Sequence, residues 1–353
     1  MTVIKPRRTI VVGVLLAAAA LAGTDALAGC GSSGGSDGPS ITLYNGQHEQ
    51  TTNGLVSAFE KQTGITVHIQ NDDEDTLANL IAVQGGHSPA DVIYTENSPA
   101  LEFLQGKGLL AATDPSTLAL SPSQYNSPRG DWVGVSARVS VLVYNPTQIA
   151  KSQLPTSVLQ LADPKYQGKL AFAPSETDFQ PIVTSVLKTY GQARTIEWLN
   201  GIKRNASGHI APDNETVVNQ VNRGAVAFGV INQYYWYRLR YQNGASAMHS
   251  QLAYFAPQDP GYVINVSGAA VLKSSKHQAA AQKFLAFLVS KQGEHILADS
   301  SNAEQSFEYP LGSGVVTSAP ETPFAQLQPN RITIADLGDG STAISLLRQA
   351  GLL

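Results

Sequence analysis

The chain has 353 residues, 42% of them apolar, and its 23 basic and 27 acidic side chains give a formal net charge of −4. A mild negative balance with no basic patch argues against nucleic acid as a partner, and beyond the N-terminus no apolar run approaches membrane length. One cysteine in the whole chain rules out an internal disulfide.

Lys5, Arg7 and Arg8 precede an apolar run from Ile10 to Ala22, followed by Leu27-Ala28-Gly29-Cys30. A positive start, a short apolar core and small residues before a cysteine form the pattern of a bacterial lipoprotein leader. Residues 1–29 are therefore read as a signal peptide and Cys30 as the lipidated residue; the alternative is an ordinary cysteine near a secreted N-terminus. The adjacent Arg7 and Arg8 also hint at twin-arginine export. The Gly/Ser-rich stretch to Ser40 is too poor in apolar residues to fold and reads as a flexible tether over residues 30–40. The expected location is the extracytoplasmic face of the cell membrane, with the lipid as the sole membrane contact. Residues 1–29 hold three basic side chains and one acidic, so the remainder keeps 20 basic against 26 acidic.

The body from Ser40 onward is too long for one ordinary core, and two domains are expected. Ile41 to Tyr44 alternates like a strand. Leu55, Val56 and Phe59 mark an amphipathic helix ending at Gly64. Thr66 to Ile69 is a second strand, and Leu77 to Ile81 a helix stopped by Gly85-Gly86. Asp91 to Tyr94 is a short buried strand, and Pro99 to Gly106 a helix with Pro in its first turn. Trp132 to Tyr144 is a β-rich run long enough to leave one domain and enter another. The α/β rhythm then resumes: Lys169 to Ala173 as strand, Asp178 to Tyr190 as helix, Ala225 to Ile231 as strand, Tyr235 to Gln242 as helix. A second β-rich run, Gly261 to Leu272, reads as the return crossing. Helices over Gln278 to Val289 and Thr342 to Gln349 complete the chain. Short strands separated by helices imply α/β layers. Two long crossings imply two lobes with a ligand cleft between them, residues 41–140 with 265–315 forming one and 141–264 with 316–353 the other.

Enzyme signatures are missing: there is no Gly-x-Ser-x-Gly elbow between a strand and a helix, no Walker loop, no His-Glu-x-x-His and no Cys-x-x-Cys. The outstanding local feature is Asn232-Gln233-Tyr234-Tyr235-Trp236-Tyr237, directly after a buried strand. Ligands of α/β sheets sit beyond the carboxyl ends of strands, and at a strand-to-helix turn Tyr234 and Tyr235 can aim at one point. The cluster could equally pack a domain surface or form a sugar platform. Two converging phenols otherwise suit a hard, highly charged cation, which would expel both protons. Calcium would use carboxylates and carbonyls, and zinc would use cysteine or histidine. Iron(III) fits best, and other trivalent ions stay open.

Further residues carry a family resemblance: Leu43-Tyr44-Asn45-Gly46-Gln47-His48, Asp91-Val92-Ile93-Tyr94-Thr95-Glu96, Gly108-Leu109-Leu110, Ala225 to Tyr237, Asn265 to Val271 and Lys283 to Leu288. On these the chain resembles the bacterial ferric-ion-binding proteins, the periplasmic "bacterial transferrins" of ABC importers. The resemblance implies an α/β, two-lobed periplasmic-binding-protein type II fold with two β-strand hinge crossings. It implies a monomeric, non-enzymatic carrier of Fe(III) that docks on an ABC transporter permease. It implies His48, Glu96, Tyr234 and Tyr235 as metal ligands. The first two follow strands, as a ligand at a strand's carboxyl end should. Four ligands leave two octahedral positions, which in the family take a synergistic anion such as phosphate or carbonate, and water.

At the anion position the chain departs from the family. Asn214 and Asn232 match the family's asparagines, and Ser175 sits at the expected turn. Glu176, Thr177 and Asp178 follow where small residues are usual. Read locally, Ser175 is a helix N-cap with acids in the first turn, and such acids should repel phosphate. The anion is therefore expected to be different or absent, with Glu176 or Asp178 as a direct extra ligand among the possibilities and Arg138 as a candidate anion partner. Two rival functions remain: the same fold binding a polyamine, thiamine or organophosphonate, and an extracellular hydrolase using Glu96 with Glu176 or Asp178.

Overall fold

The computed structural model describes residues 38–299, 306–312, 314–317 and 321–353. The expected leader, lipidated Cys30 and tether as far as residue 37 lie outside them. Strand β1 (Ser40–Gly46) leads into α1 (Glu49–Thr63), β2 (Thr66–Asn71) and α2 (Glu74–Gln84). Next come β3 (Val92–Thr95), α3 (Ser98–Gly106), the short α4 (Pro115–Leu118) and β4 (Val133–Tyr144). Then follow β5 (Leu170–Ala171), α5 (Gln180–Asn205), α6 (Asn214–Asn222), β6 (Phe228–Asn232) and α7 (Gln233–Asn243). The chain ends with β7 (Gln251–Ala253), β8 (Ile264–Val271), α8 (Gln278–Leu288), α9 (Lys291–Ala298), β9 (Tyr309–Pro310), α10 (Ile334–Leu337) and α11 (Ser341–Gln349). Among the described residues no helix is long and apolar enough to cross a membrane.

The strands form one hydrogen-bonded path, β2-β1-β3-β8-β4-β6-β5, with β7 and β9 also on β4. β1 is parallel to both β2 and β3, and β3 is antiparallel to β8. The expected crossing at 132–144 is β4, and all twelve of its residues are buried. Its first part, Val133 to Val139, pairs with β8, and Ser140 to Tyr144 pairs with β6. The partner thus changes at one peptide, and β4 belongs to both lobes. The return crossing begins earlier than its strand: Ser140 N–H donates to the Val263 carbonyl at 3.0 Å, and β8 then pairs with β3 and β4 alone.

Side-chain alternation sorts the first lobe into two layers, as expected of a sheet covered on both faces. Ile41, Leu43, Val92 and Tyr94 point into one core with Phe59 and Phe284, whereas Tyr44 and Ile93 point into the other. The Phe59 ring meets Phe284 edge-on at 5.0 Å and Phe287 at 5.6 Å, contacts worth about 0.5–1.5 kcal/mol each beyond area burial. Gly64 ends α1 as expected, in the left-handed region at φ 69°. The helix expected over 178–190 starts at Gln180, and Gly191 (φ 78°, ψ 169°) breaks it from a second helix that runs to Asn205. Thr195, Trp198, Leu199 and Ile202 of that second helix are buried on one face, a helical period.

Candidate metal centre

His48 stands at the N-cap of α1, and a side-chain lattice holds its loop. Asn45 Nδ2 donates to Gln47 O at 2.7 Å, Thr52 Oγ1 donates to Asn45 Oδ1 at 2.8 Å, and Gln47 Oε1 accepts the His48 N–H at 2.8 Å. Gly46 allows this loop to lie against α2: a Cβ there would stand 2.6 Å from Glu74 Cβ. Glu96 follows β3, and Ser267 Oγ anchors its neighbour by donating to Thr95 O at 2.8 Å. Tyr234 and Tyr235 lie in the first turn of α7 directly after β6, so the expected strand-to-helix turn is present, and the helix starts at Gln233, two residues before the expected Tyr235. Both phenols are buried. Gln233 fixes that turn: its Oε1 accepts the Val139 N–H of β4 at 2.9 Å, and its Nε2 donates to Phe307 O at 3.2 Å.

The four side chains converge. Around Glu96 Oε1 stand His48 Nε2 at 3.2 Å, Tyr235 OH at 3.3 Å and Tyr234 OH in a short hydrogen bond. His48 Nε2 and Tyr234 OH are 3.3 Å apart, and the two phenol rings lie 4.1 Å apart at 33°. The cleft is therefore closed on these residues. Donors about 3 Å apart match adjacent vertices around a cation with bonds of ~2.0–2.2 Å. Among the described residues no three His, Cys, Asp or Glu side chains stand close enough to hold a metal by themselves, so a metal here needs the phenol oxygens.

Acidic groups dominate the surroundings. A cavity of about 590 Å³ opens beside the cluster, with Glu49, Asp72, Asp73, Glu96, Glu176 and Glu215 on its walls; converging negative charge of this kind draws in cations. Burial, with the negative charges of Asp178 and Glu96, pushes both phenols well above their ordinary range. Burial, then Asp178 and Glu96, raises Glu176 to about 9. Burial and Glu96 raise Asp178 to about 7, against the pull of Arg138. Burial would also raise Glu96, but His48, Arg138 and the Tyr234 hydroxyl hold it below the usual carboxylate range. An unfilled site thus keeps protons on its phenols that a bound cation would displace.

The residues expected around an anion are placed differently. Ser175 is exposed and does not cap a helix; its Oγ donates to Pro212 O at 3.1 Å, because a 3-10 turn from Thr177 to Phe179 precedes α5. Thr177 Oγ1 accepts from Asn97 Nδ2 at 3.0 Å. Asn214 Nδ2 donates to Asp178 Oδ2 at 3.1 Å, and Asn232 Oδ1 accepts from Ser140 Oγ at 3.5 Å. Arg138, expected as an anion partner, is wholly buried and pairs with buried Glu308 at 2.8 Å. Its Nη1 also donates to Glu96 O and lies 3.9 Å from Asp178 Oδ1.

Two participants escaped the sequence reading. Arg238 lies 5.3 and 5.7 Å over the Tyr234 and Tyr235 rings and bridges to Glu215 at 3.2 Å. Its spacing of four and three residues from the tyrosines on one helix was a usable signal. Glu308 sits in an irregular segment with no local pattern to mark it.

Comparison with known proteins matches residues 87–323 to the bacterial extracellular solute-binding proteins. The Fe(3+)-binding periplasmic protein of Serratia marcescens is 39% identical over 313 residues, 89% of this chain and 90% of that one. The major ferric iron-binding protein of Neisseria meningitidis is 35% identical over 347 residues, 96% and 97% of the two chains. The crystal structure of iron-bound HitA from Pseudomonas aeruginosa is 42% identical, with a TM-score of 0.83 over 89% of this chain and 99% of that one. The chain belongs to the bacterial extracellular solute-binding proteins and, within them, to the family of the ferric-ion-binding proteins.

Proposed function

We propose that this protein captures iron(III) in its interlobe cleft and delivers it to the permease of an ABC importer, working as a monomer held to the extracytoplasmic face by lipid on Cys30. The observation that carries the reading is the meeting of four donors from two lobes at one point: His48 and Glu96 beyond β1 and β3, Tyr234 and Tyr235 at the start of α7. Two phenolates and a carboxylate offset a trivalent charge, and imidazole adds a neutral donor. Oxygen-rich ligation is the preference of a hard ion. The relatives named for ferric iron support the choice of metal. In this reading the lobes comprise residues 41–140 with 265–315, and 141–264 with 316–353, and β4 carries the motion between them.

Binding holds the lobes shut because only the shut form assembles both half-sites. Release follows when docking opens the cleft or when protons compete for phenolate, carboxylate and imidazole. The acidic walls concentrate cations at the mouth, and the family is one of binding proteins, so no turnover is assigned.

The test is optical. Protein loaded with iron(III) should show a visible tyrosinate-to-iron charge-transfer band. Tyr234→Phe and Tyr235→Phe should each lower affinity by more than the ~10–100-fold typical of losing a group that only supports a ligand. A colourless protein after loading, or Phe variants that keep the band unchanged, would overturn the assignment.

A further inference from the structure

We propose that Asp178 is a fifth protein ligand to the ferric ion, standing where related sites take up an external anion, so that iron is held here without added phosphate or carbonate. The inference rests on the iron(III) reading of this cleft and adds to it the source of the missing negative donor.

The first observation is Asp178 itself. Its side chain is 5% exposed and projects into the cluster, with Oδ2 3.1 Å from the Tyr234 hydroxyl. Oδ1 has no hydrogen-bond donor, and Arg138 at 3.9 Å is its nearest cationic neighbour. A buried carboxylate oxygen left without a donor is costly unless another charge satisfies it. A cation bound between the phenols and Glu96 would lie within reach of this carboxylate.

The second observation is the state of the groups that would greet an anion. Asn214 holds Asp178, Thr177 is engaged by Asn97, and Ser175 donates to Pro212. Arg138 is paired with Glu308. A phosphate or carbonate entering here would displace these contacts and meet Glu96, Glu176 and Asp178 at close range. Asn214 and Arg138, which elsewhere could recognise an external anion, instead orient an internal one. Asp178 is the middle residue of a 3-10 turn held from both sides, by Asn97 on Thr177 and by Asn214 on Asp178 itself, so its carboxylate is fixed before the metal arrives.

The experiment loads metal-free protein from ferrous chloride with CO2-free oxygen as oxidant, in buffer stripped of carbonate and phosphate. It reads the charge-transfer band and the displacement of iron by a hydroxamate chelator. Wild type should develop the band without added anion, and millimolar phosphate, carbonate or citrate should shift neither its maximum nor the displacement curve. Asp178→Ala should bind iron weakly alone and recover by about tenfold or more when phosphate or carbonate is supplied, a change of ~1.4 kcal/mol or more. Asp178→Asn, which keeps the shape and a contact to Asn214, guards against an Ala variant that fails to fold, and should show the same new dependence on anions. A wild-type band that needs an anion, or that moves with each anion, overturns the fifth-ligand assignment and leaves the iron reading standing. Variants as tight and as indifferent to anions as wild type overturn it equally. A wild type that forms no band with any anion overturns both.

Discussion

Arg138 offers a demanding test of how this fold manages charge. It is wholly buried, pairs with wholly buried Glu308 at 2.8 Å, and lies 3.7 and 3.9 Å from carboxylate oxygens of Glu96 and Asp178. Arg138→Met fills similar space but leaves Glu308 without its counter-charge. Removing one partner of a buried pair costs about 3–5 kcal/mol, most of it the penalty of the stranded charge. Unfolding entropy runs at ~2.1 cal/mol/K per residue. Over the roughly 316 residues from Gly38 to Leu353 that amounts to ~0.66 kcal/mol/K, so the melting temperature should fall by about 5–8 °C. Arg138→Met combined with Glu308→Gln removes both charges together and should regain most of the loss, since a buried pair replaced as a whole is often neutral. Calorimetry of metal-free protein checks this. A single variant that melts within 2 °C of wild type, or a double variant no better than the single, would refute the account of a stranded charge.

Gln233→Ala strips β4 of the acceptor for Val139 N–H and frees Phe307 O. It should cost ~1–3 kcal/mol and weaken iron binding by loosening the turn that carries both tyrosines, measurable by denaturant titration and chelator competition. Gly46→Ala forces its Cβ against Glu74 and should destabilise by ~1–3 kcal/mol, with a drop in iron affinity because His48 lies two residues on. Burial pushes Glu294 up to about 7 against the pull of the Gly312 N–H, whereas an unfolded glutamate ionises near ~4.3. The folded state holds that proton more tightly, so this contribution is complete below the unfolded value and is lost as pH rises toward about 7. Melting curves of Glu294→Gln and wild type should therefore diverge in favour of the variant as pH rises from ~4.3 to about 7 and run parallel above that, and curves parallel throughout would refute the assignment.

The parts of the site that could be read from sequence are those whose position follows from a neighbouring element. His48, Glu96 and the tyrosine pair each come directly after a buried strand, and a strand's end points where its sheet points. The crossing strand was legible for the same reason, because only a segment buried along its whole length reads as unbroken β-rich sequence. The turn around Ser175 was not legible. It looks like a helix cap locally, yet its course is set by Asn97 and Asn214, far away in sequence. Arg138 is expected beside the anion from its place on the crossing strand, and its actual partner, Glu308, 170 positions later in a segment of no regular structure, has no local signal. The strands β7 and β9 span three and two residues and exist because β4 offers them an edge, which no local pattern announces.

The change of partner along β4 between Val139 and Ser140 has a consequence for how the molecule can evolve. Rotation at that peptide leaves the β8 ladder on one side and the β6 ladder on the other intact. In the proposed opening, the links it breaks include Gln233 to Val139, Asn97 to Thr177 and Gln180 to Asp75. The ladders that hold each half together are thus distinct from these links, although Gln233 serves both. The ease of unloading can then be retuned by exchanging a few largely buried amides and hydroxyls without touching either ladder.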